Sequence, residues 1–268
     1  MIGVVEQAGA NVQHLRVGDR VALRTPHRQY TLISATNPAL TPVPTGLAAE
    51  EAAWFALAKI AQVGVRAAEH TLGDAVAIIG LGPVGQLVTQ YVRLQGPREI
   101  IAIDPLEPRL QLARQRGATT IVSATVDAAY DLVQRATGGS GVDVVYDVTG
   151  AAPVFAQALP LLRRFGRLVL LGDTGTPTAQ HLTSEVIIRG LRIVGAHDSH
   201  PPQVASDHAP WNAEAMIQLF FTYLQRGDMR LTDMISHRFA PTEAPAAYQL
   251  LREAPATTMG VAFDWTQL

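Results

Sequence analysis

The stretch Ala75-Val76-Ala77-Ile78-Ile79-Gly80-Leu81-Gly82-Pro83-Val84-Gly85 decides the fold. An unbroken apolar run ending on glycines reads as a strand buried on both faces, and Gly80, Gly82 and Gly85 follow it in the spacing G-x-G-x-x-G. Pro83 suits the first turn of a helix, where its fixed φ fits and its missing N–H has no intrahelical partner to lose. In such a turn the first glycine makes the tight bend, the second lets a pyrophosphate approach the backbone, and the third brings helix and strand close together. The helix N-terminus then faces the anion. A dinucleotide-binding turn is the expectation, against the simpler reading of a strand-to-helix turn without a ligand.

Downstream, the alternation continues. Strands are expected at Ile100 to Ile103, Thr120 to Val122, Val142 to Asp147, Arg167 to Leu171 and Leu191 to Gly195. Between them, helices are expected near Val84 to Leu94, Glu107 to Arg116, Ala128 to Arg135, Val154 to Leu162 and Ser184 to Arg189. Apolar strands separated by helices imply an α/β fold, a doubly wound parallel sheet of Rossmann type. Asp104 ends the second of these strands, 19 residues after Gly85, where a carboxylate can accept hydrogen bonds from the adenosine ribose. It opposes a 2′-phosphate as a like charge, which favours NAD over NADP. Arg109, one helical turn later, either braces the ribose or binds a phosphate.

Upstream, Ile2 to Glu6, Arg20 to Leu23 and Tyr30 to Ser34 read as short strands broken by turns, followed by a proline-rich loop through Pro42 and Pro44. Ala48 to Ala68 reads as an alanine-rich helical stretch, with Glu50 and Glu51 suited to its N-terminus. After a loop rich in His, Pro and Asp come helices at Ala213 to Leu224 and Ala244 to Arg252 and a last strand at Gly260 to Asp264. The expected division is residues 1–65, residues 66–210, and a segment 211–268 that returns to the first domain.

Composition narrows the function. The 268 residues are 48% hydrophobic and 16% charged, a balance that supports a sizeable core. A formal net charge of -2 gives no electrostatic reason to expect nucleic acid or an anionic membrane surface, so a small-molecule substrate is expected. With no cysteine, thiolate zinc sites, disulfides and cysteine nucleophiles are excluded. The N-terminus has no signal-peptide pattern and no apolar run is long enough for a membrane span, so a cytoplasmic location is expected.

Taken together, the motifs resemble the medium-chain dehydrogenase/reductases, the alcohol and polyol dehydrogenase superfamily. Val17-Gly18-Asp19-Arg20-Val21 is similar to that family's GroES-like domain signature, which makes residues 1–65 a partial GroES-like β-domain. Gly73-Asp74, the glycine turn, Gly141 to Gly150 and Gly166-Arg167-Leu168-Val169 are similar to its cofactor domain. The resemblance implies that Gly82, Pro83 and Val84 meet the pyrophosphate, and that Asp104 and Arg109 flank the ribose. It implies that Thr149 and Gly150 lie along the cofactor, with Leu171, Gly172, Asp173, Gly195, Ala196 and His197 approaching the nicotinamide. All of these also read as ordinary strand-end turns. A homodimer joined through the edge strand Leu191 to Gly195 is implied as well, and an uncovered apolar edge is a physical reason for it.

Two departures bear on catalysis. The family's leading segment, with its first zinc ligand and Gly-His-Glu motif, is absent, and the third zinc position falls on Ala56. No metal site can be built from matched residues. Hydride transfer from an alcohol still requires a group to manage the hydroxyl proton. His197, in His197-Asp198-Ser199-His200, is the first candidate, and Lys59, one turn beyond Ala56, is the second. The loop as a solvated turn and Lys59 as a surface lysine are the competing readings, and a metal set from His197, His200, Asp207 and His208 is a third. At the level of function, a zinc-independent NAD-dependent oxidoreductase stands beside a non-catalytic NAD-binding or assembly protein, and beside an enoyl or quinone reductase of the zinc-free branch.

Overall fold

The computed structural model describes every residue from Met1 to Leu268. Contacts divide the chain into two units, Met1–Lys59 with Pro201–Leu268, and Ile60–His200. No helix is long and apolar enough to cross a membrane.

The first unit opens with β1 (Ile2–Val4) antiparallel to β2 (Arg20–Leu23), which pairs in turn with β3 (Leu40–Pro42). The third strand is therefore not Tyr30 to Ser34. Tyr30 is 65% exposed and Leu32 fully so, while Ile33 packs against the Leu15, Val21 and Leu23 cluster without the segment pairing as a strand. Val21 and Leu23 bury with Leu15, and Leu40 packs against them. The helical stretch Ala48 to Ala68 holds two helices, α1 (Ala49–Ala52) and α2 (Phe55–Ala67), parted at Ala53-Trp54. At this break Trp54 is buried against Gly260, where a Cβ would come within 2.6 Å of its ring.

In the second unit, β4 (Ala75–Ile79) leads into α3 (Pro83–Arg93), then β5 (Glu99–Ile103), α4 (Glu107–Gln115) and β6 (Thr120–Val122). After α5 (Tyr130–Ala136) come β7 (Val142–Asp147), α6 (Ala152–Ala158), β8 (Leu162–Leu170), α7 (Glu185–Ile188) and β9 (Arg192–Gly195). The six strands order as β6-β5-β4-β7-β8-β9, all parallel, with the crossover from one side of β4 to the other that defines a doubly wound sheet. β4 and β7 are buried along their whole length, as continuous apolar strands between two helical layers should be. α6 stops four residues short of the expected end because Pro160 cannot donate its backbone bond, and a short 3-10 turn through Leu161 follows. β8 starts early, at Leu162, and bulges before regaining register at Arg167. Phe165 within the bulge takes φ +62°.

Returning to the first unit, α8 (Ala213–Arg226) is capped by Asn212, whose side chain accepts the Ala215 N–H, and stopped by Gly227 at φ +74°. β10 (His237–Phe239), unforeseen from the sequence, pairs in parallel with β11 (Val261–Phe263), and α9 (Ala244–Glu253) lies between them in the chain. The acids of α1 tie this segment to the start of the unit: Glu50 accepts two bonds from Arg238, at 2.6 and 2.7 Å, and Glu51 accepts the Leu231 N–H at 3.2 Å.

A polar cluster fastens the approach to β4. His70 Nε2 lies 2.6 Å from the hydroxyl of Tyr146, which is wholly buried, and Asp74 accepts from Thr71 while Arg167 Nη2 stands 3.4 Å away. Burial holds the His70 imidazole below its ordinary value, although Asp74 pulls the other way. The unfolded chain therefore binds a proton more readily at this site than the folded one, and stability falls as pH drops below about 6.5. In melts or denaturant titrations between pH 8 and pH 5, His70→Gln should shallow that decline by up to about 1.4 kcal/mol per pH unit. An identical pH profile in both proteins would remove His70 as the cause.

Candidate functional site

The ends of β4, β5 and β7 converge where the chain leaves the sheet for its helices. Gly80 turns out of β4 at φ +87°, and Gly85 backs onto it so closely that a Cβ there would sit 2.0 Å from the Gly80 carbonyl oxygen. Gly82 is different. A Cβ on it would meet nothing within 4 Å, because it borders a cleft of about 530 Å³, a size suited to a small-molecule ligand. Gln86 N–H closes the first turn of α3 on Gly82 O at 3.0 Å. The earlier N–H groups of Val84 and Gly85 have no helix carbonyl to bind and suit an anion.

The structure brings Gly80, Gly82, Pro83, Val84 and Gly85 to this cleft, with Asp104 and Arg109 on one wall and Thr149 on another. Asp104 is buried, and its two oxygens accept the Leu81 and Leu106 N–H groups, each at 2.8 Å. Arg109 Nη1 lies 3.8 Å from it. These bonds fix the carboxylate and leave lone pairs for hydroxyl donors.

Asp147, at the end of β7, was not singled out from the sequence. Its Oδ1 accepts both the N–H and the hydroxyl of Thr149, at 2.9 and 2.7 Å, while its carbonyl accepts the N–H groups of Leu171 and Gly172. Burial pushes its carboxyl up, with the Thr149 and Gly150 bonds acting against that rise. Asp-x-Thr was the available signal, since Asx turns use that pattern. Gly150 and Gly172 are forced by the same staple: a Cβ on Gly150 would stand 2.2 Å from Asp173 O, and one on Gly172 2.3 Å from Gly150 N.

Gly150, Leu171, Gly172, Asp173, Gly195, Ala196 and His197 do not line the cleft itself. They form the neighbouring strand ends, where Ala196 N–H bonds Leu170 O at 3.0 Å and leads β9 into the His197 loop. His197 is exposed, its Nδ1 2.8 Å from Ser199 Oγ and 3.2 Å from the Ser199 backbone N–H. Because a backbone N–H only donates, Nδ1 is the acceptor and the neutral ring carries its proton on Nε2. Lys59 lies in the other unit, half-buried on α2, one turn beyond the half-buried Ala56.

No three His, Cys, Asp or Glu side chains gather as a metal ion would require. His197, His200, Asp207 and His208 form no such group, and the methyl of Ala56 has nothing to ligate with. The residues present do not fit a zinc ion. The cleft does fit a dinucleotide, since Gly82 leaves open the space that a side chain would fill.

A parallel doubly wound sheet with a glycine turn and an acid at the next strand end defines a dinucleotide-binding fold. Residues 83–208 match the family described as zinc-binding dehydrogenase. The chain is 26% identical to D-guloside 3-dehydrogenase of Escherichia coli K12 across 98% of its own length and 76% of that protein's. It is 30% identical to an alcohol dehydrogenase of Cupriavidus necator, across 83% of its length and 58% of the relative's. A solved zinc-binding dehydrogenase of Sinorhizobium meliloti, bound to NADP, superposes with a TM-score of 0.80 at 23% identity, covering 98% of this chain and 82% of that one. These likenesses support an alcohol-dehydrogenase-like oxidoreductase similar to the medium-chain dehydrogenase/reductases, a class served by NAD or NADP.

The contact between Gly85 and Gly80 generates a direct test. Gly85→Ala should weaken NADH binding more than tenfold in a fluorescence titration and destabilise the fold by about 1–3 kcal/mol, because α3 must back away from β4. Wild-type affinity in that variant would show that the close approach is dispensable.

Proposed function

We propose that this chain is a zinc-independent, NAD(H)-dependent oxidoreductase that interconverts an alcohol, polyol or sugar-like substrate and its ketone. The Asp104 carboxylate on the cleft wall carries the cofactor choice. Ribose hydroxyls can donate to its remaining lone pairs, whereas a 2′-phosphate would meet its charge in a partly dry site. The Sinorhizobium meliloti neighbour holds NADP, so the choice of NAD rests on Asp104 and not on that likeness.

In this reading Gly82, Pro83, Val84 and Gly85 hold the pyrophosphate, Asp104 and Arg109 the adenosine ribose, and Thr149 and Gly150 the middle of the cofactor. Leu171, Gly172, Asp173, Gly195, Ala196 and His197 border the nicotinamide. The bound nicotinamide would supply or take up the hydride. What remains for the chain is orientation and a proton. His197 suits proton transfer, since Nε2–H can donate to a substrate oxygen while Ser199 Oγ, beside Nδ1 and itself exposed, links the ring to solvent. Lys59 is the second proton-carrying candidate. The named substrates of the relatives, a guloside and alcohols, support the substrate class.

Turnover with a panel of polyols, secondary alcohols and ketones, at saturating NAD(H), tests this reading. His197→Asn should lower kcat by about a hundredfold with little change in NADH affinity, and activity should survive dialysis against a chelator. Unchanged rates in both His197→Asn and Lys59→Ala would remove each from the mechanism, and tight NADH binding without turnover of any substrate would favour a non-catalytic binding protein.

The free edge of β9 supports a homodimer. Ile193 on that strand is 37% exposed, and Ile187 and Ile188 of α7 are 87% and 71% exposed, which leaves a sheet edge and an apolar surface for a second copy to cover. Sedimentation at micromolar concentration should give a dimer, and Ile193→Lys should shift it to monomer. A wild-type chain that sediments as a monomer overturns the assignment.

A further inference from the structure

Gln86 follows the third glycine and is completely buried in α3. Its side-chain Nε2 donates to carbonyls of two different segments: Leu81 O in the glycine turn at 3.1 Å, and Arg109 O in α4 at 2.8 Å. The flipped amide would set its oxygen against both carbonyls, so the orientation is determined. Oε1 is left buried without a partner. A leucine would fill this position without that cost, so the amide is there for what Nε2 holds.

What it holds is a closed circuit. The Leu81 peptide is gripped at both ends, its N–H by Asp104 Oδ2 at 2.8 Å and its carbonyl by Gln86. Arg109 is gripped at its carbonyl by Gln86, and its guanidinium stands 3.8 Å from the same Asp104 oxygen. Gln86 does not line the cleft, whereas Asp104 and Arg109 do.

We propose that Gln86 is a positioning residue for cofactor selectivity: by tying α4 to the glycine turn it keeps the Arg109 guanidinium turned to Asp104, so that its charge is not offered to a 2′-phosphate. This rests on the reading of Asp104 as the acceptor of ribose hydroxyls. Without the amide bridge, the turn of α4 that carries Arg109 loses its tie to Leu81 O. The guanidinium is then released toward the 2′ position, where a cation accommodates a phosphate.

The test is a double-mutant cycle on the full chain, with dissociation constants for NADH and NADPH read by fluorescence titration in wild type, Gln86→Leu, Arg109→Ala and the double variant. Gln86→Leu should lower the ratio Kd(NADPH)/Kd(NADH) about tenfold, chiefly through tighter NADPH binding. In the Arg109→Ala background the same substitution should leave the ratio within about twofold. An unchanged ratio, or an equal fall in both backgrounds, overturns the proposal, since a purely structural role would not act through Arg109. The wild-type ratio judges Asp104 separately: equal or tighter binding of NADPH overturns the NAD reading whatever Gln86→Leu does. Gln86→Met, which keeps the volume and removes the donor, replaces the leucine variant if thermal melts show that one unfolded.

Discussion

The contact on which this cofactor domain depends is the approach of α3 to the end of β4, where Gly85 lies so close to the Gly80 carbonyl that even a methyl group is excluded. That contact sets the angle at which the helix leaves the sheet and keeps its first N–H groups at the mouth of the cleft. It also holds Leu81 where Asp104 can take its N–H, so the acid of the neighbouring strand is located by the glycine turn. The cleft wall and its floor are therefore one construction.

Strand ends elsewhere in the sheet are bound by the same economy of buried polar groups. Asp147 uses its carbonyl on Leu171 and Gly172 and its carboxylate on Thr149, joining the exits of β7 and β8. His70, Asp74, Tyr146 and Arg167 join the entrance of β4 to β7 and β8. Buried polar groups left unpaired would be costly, so these networks specify one arrangement of the loops as well as stabilising it. The expected proton-handling residue, His197, lies outside them on an exposed loop, where its tautomer is set by a neighbouring backbone N–H.

Much of the cofactor half was legible because its signals are local. The run Ala75 to Ile79, the three glycines and the acid at Asp104 lie close in sequence, and each is required by backbone geometry in its own neighbourhood. The errors came where burial is decided at a distance. Tyr30 to Ser34 has the alternation of a strand and packs Ile33 on the core, but the free edge of β2 is taken by Leu40–Pro42, which reads as a proline-rich loop. Within the helical stretch Ala48 to Ala68 the break at Ala53-Trp54 has no local mark, and Trp54 there meets Gly260, a residue near the other end of the chain. Pro160 was a visible stop that the apolar pattern around it masked.

By itself, then, the sequence determined the parallel sheet, the glycine turn and the kind of group that turn receives, because strand burial and positive φ are written in neighbouring residues. These 268 residues also hold no cysteine, so none of them offers a thiolate. Tertiary structure alone decided which polar residues act together. Gln86 is indistinguishable from a surface glutamine until α4 covers it, and Asp147 is an ordinary strand-end acid until the exit of β8 folds onto its carbonyl. Hydrogen bonds between segments far apart in the chain leave no periodic mark in a sequence, because only the packing of the sheet brings their donors and acceptors within reach.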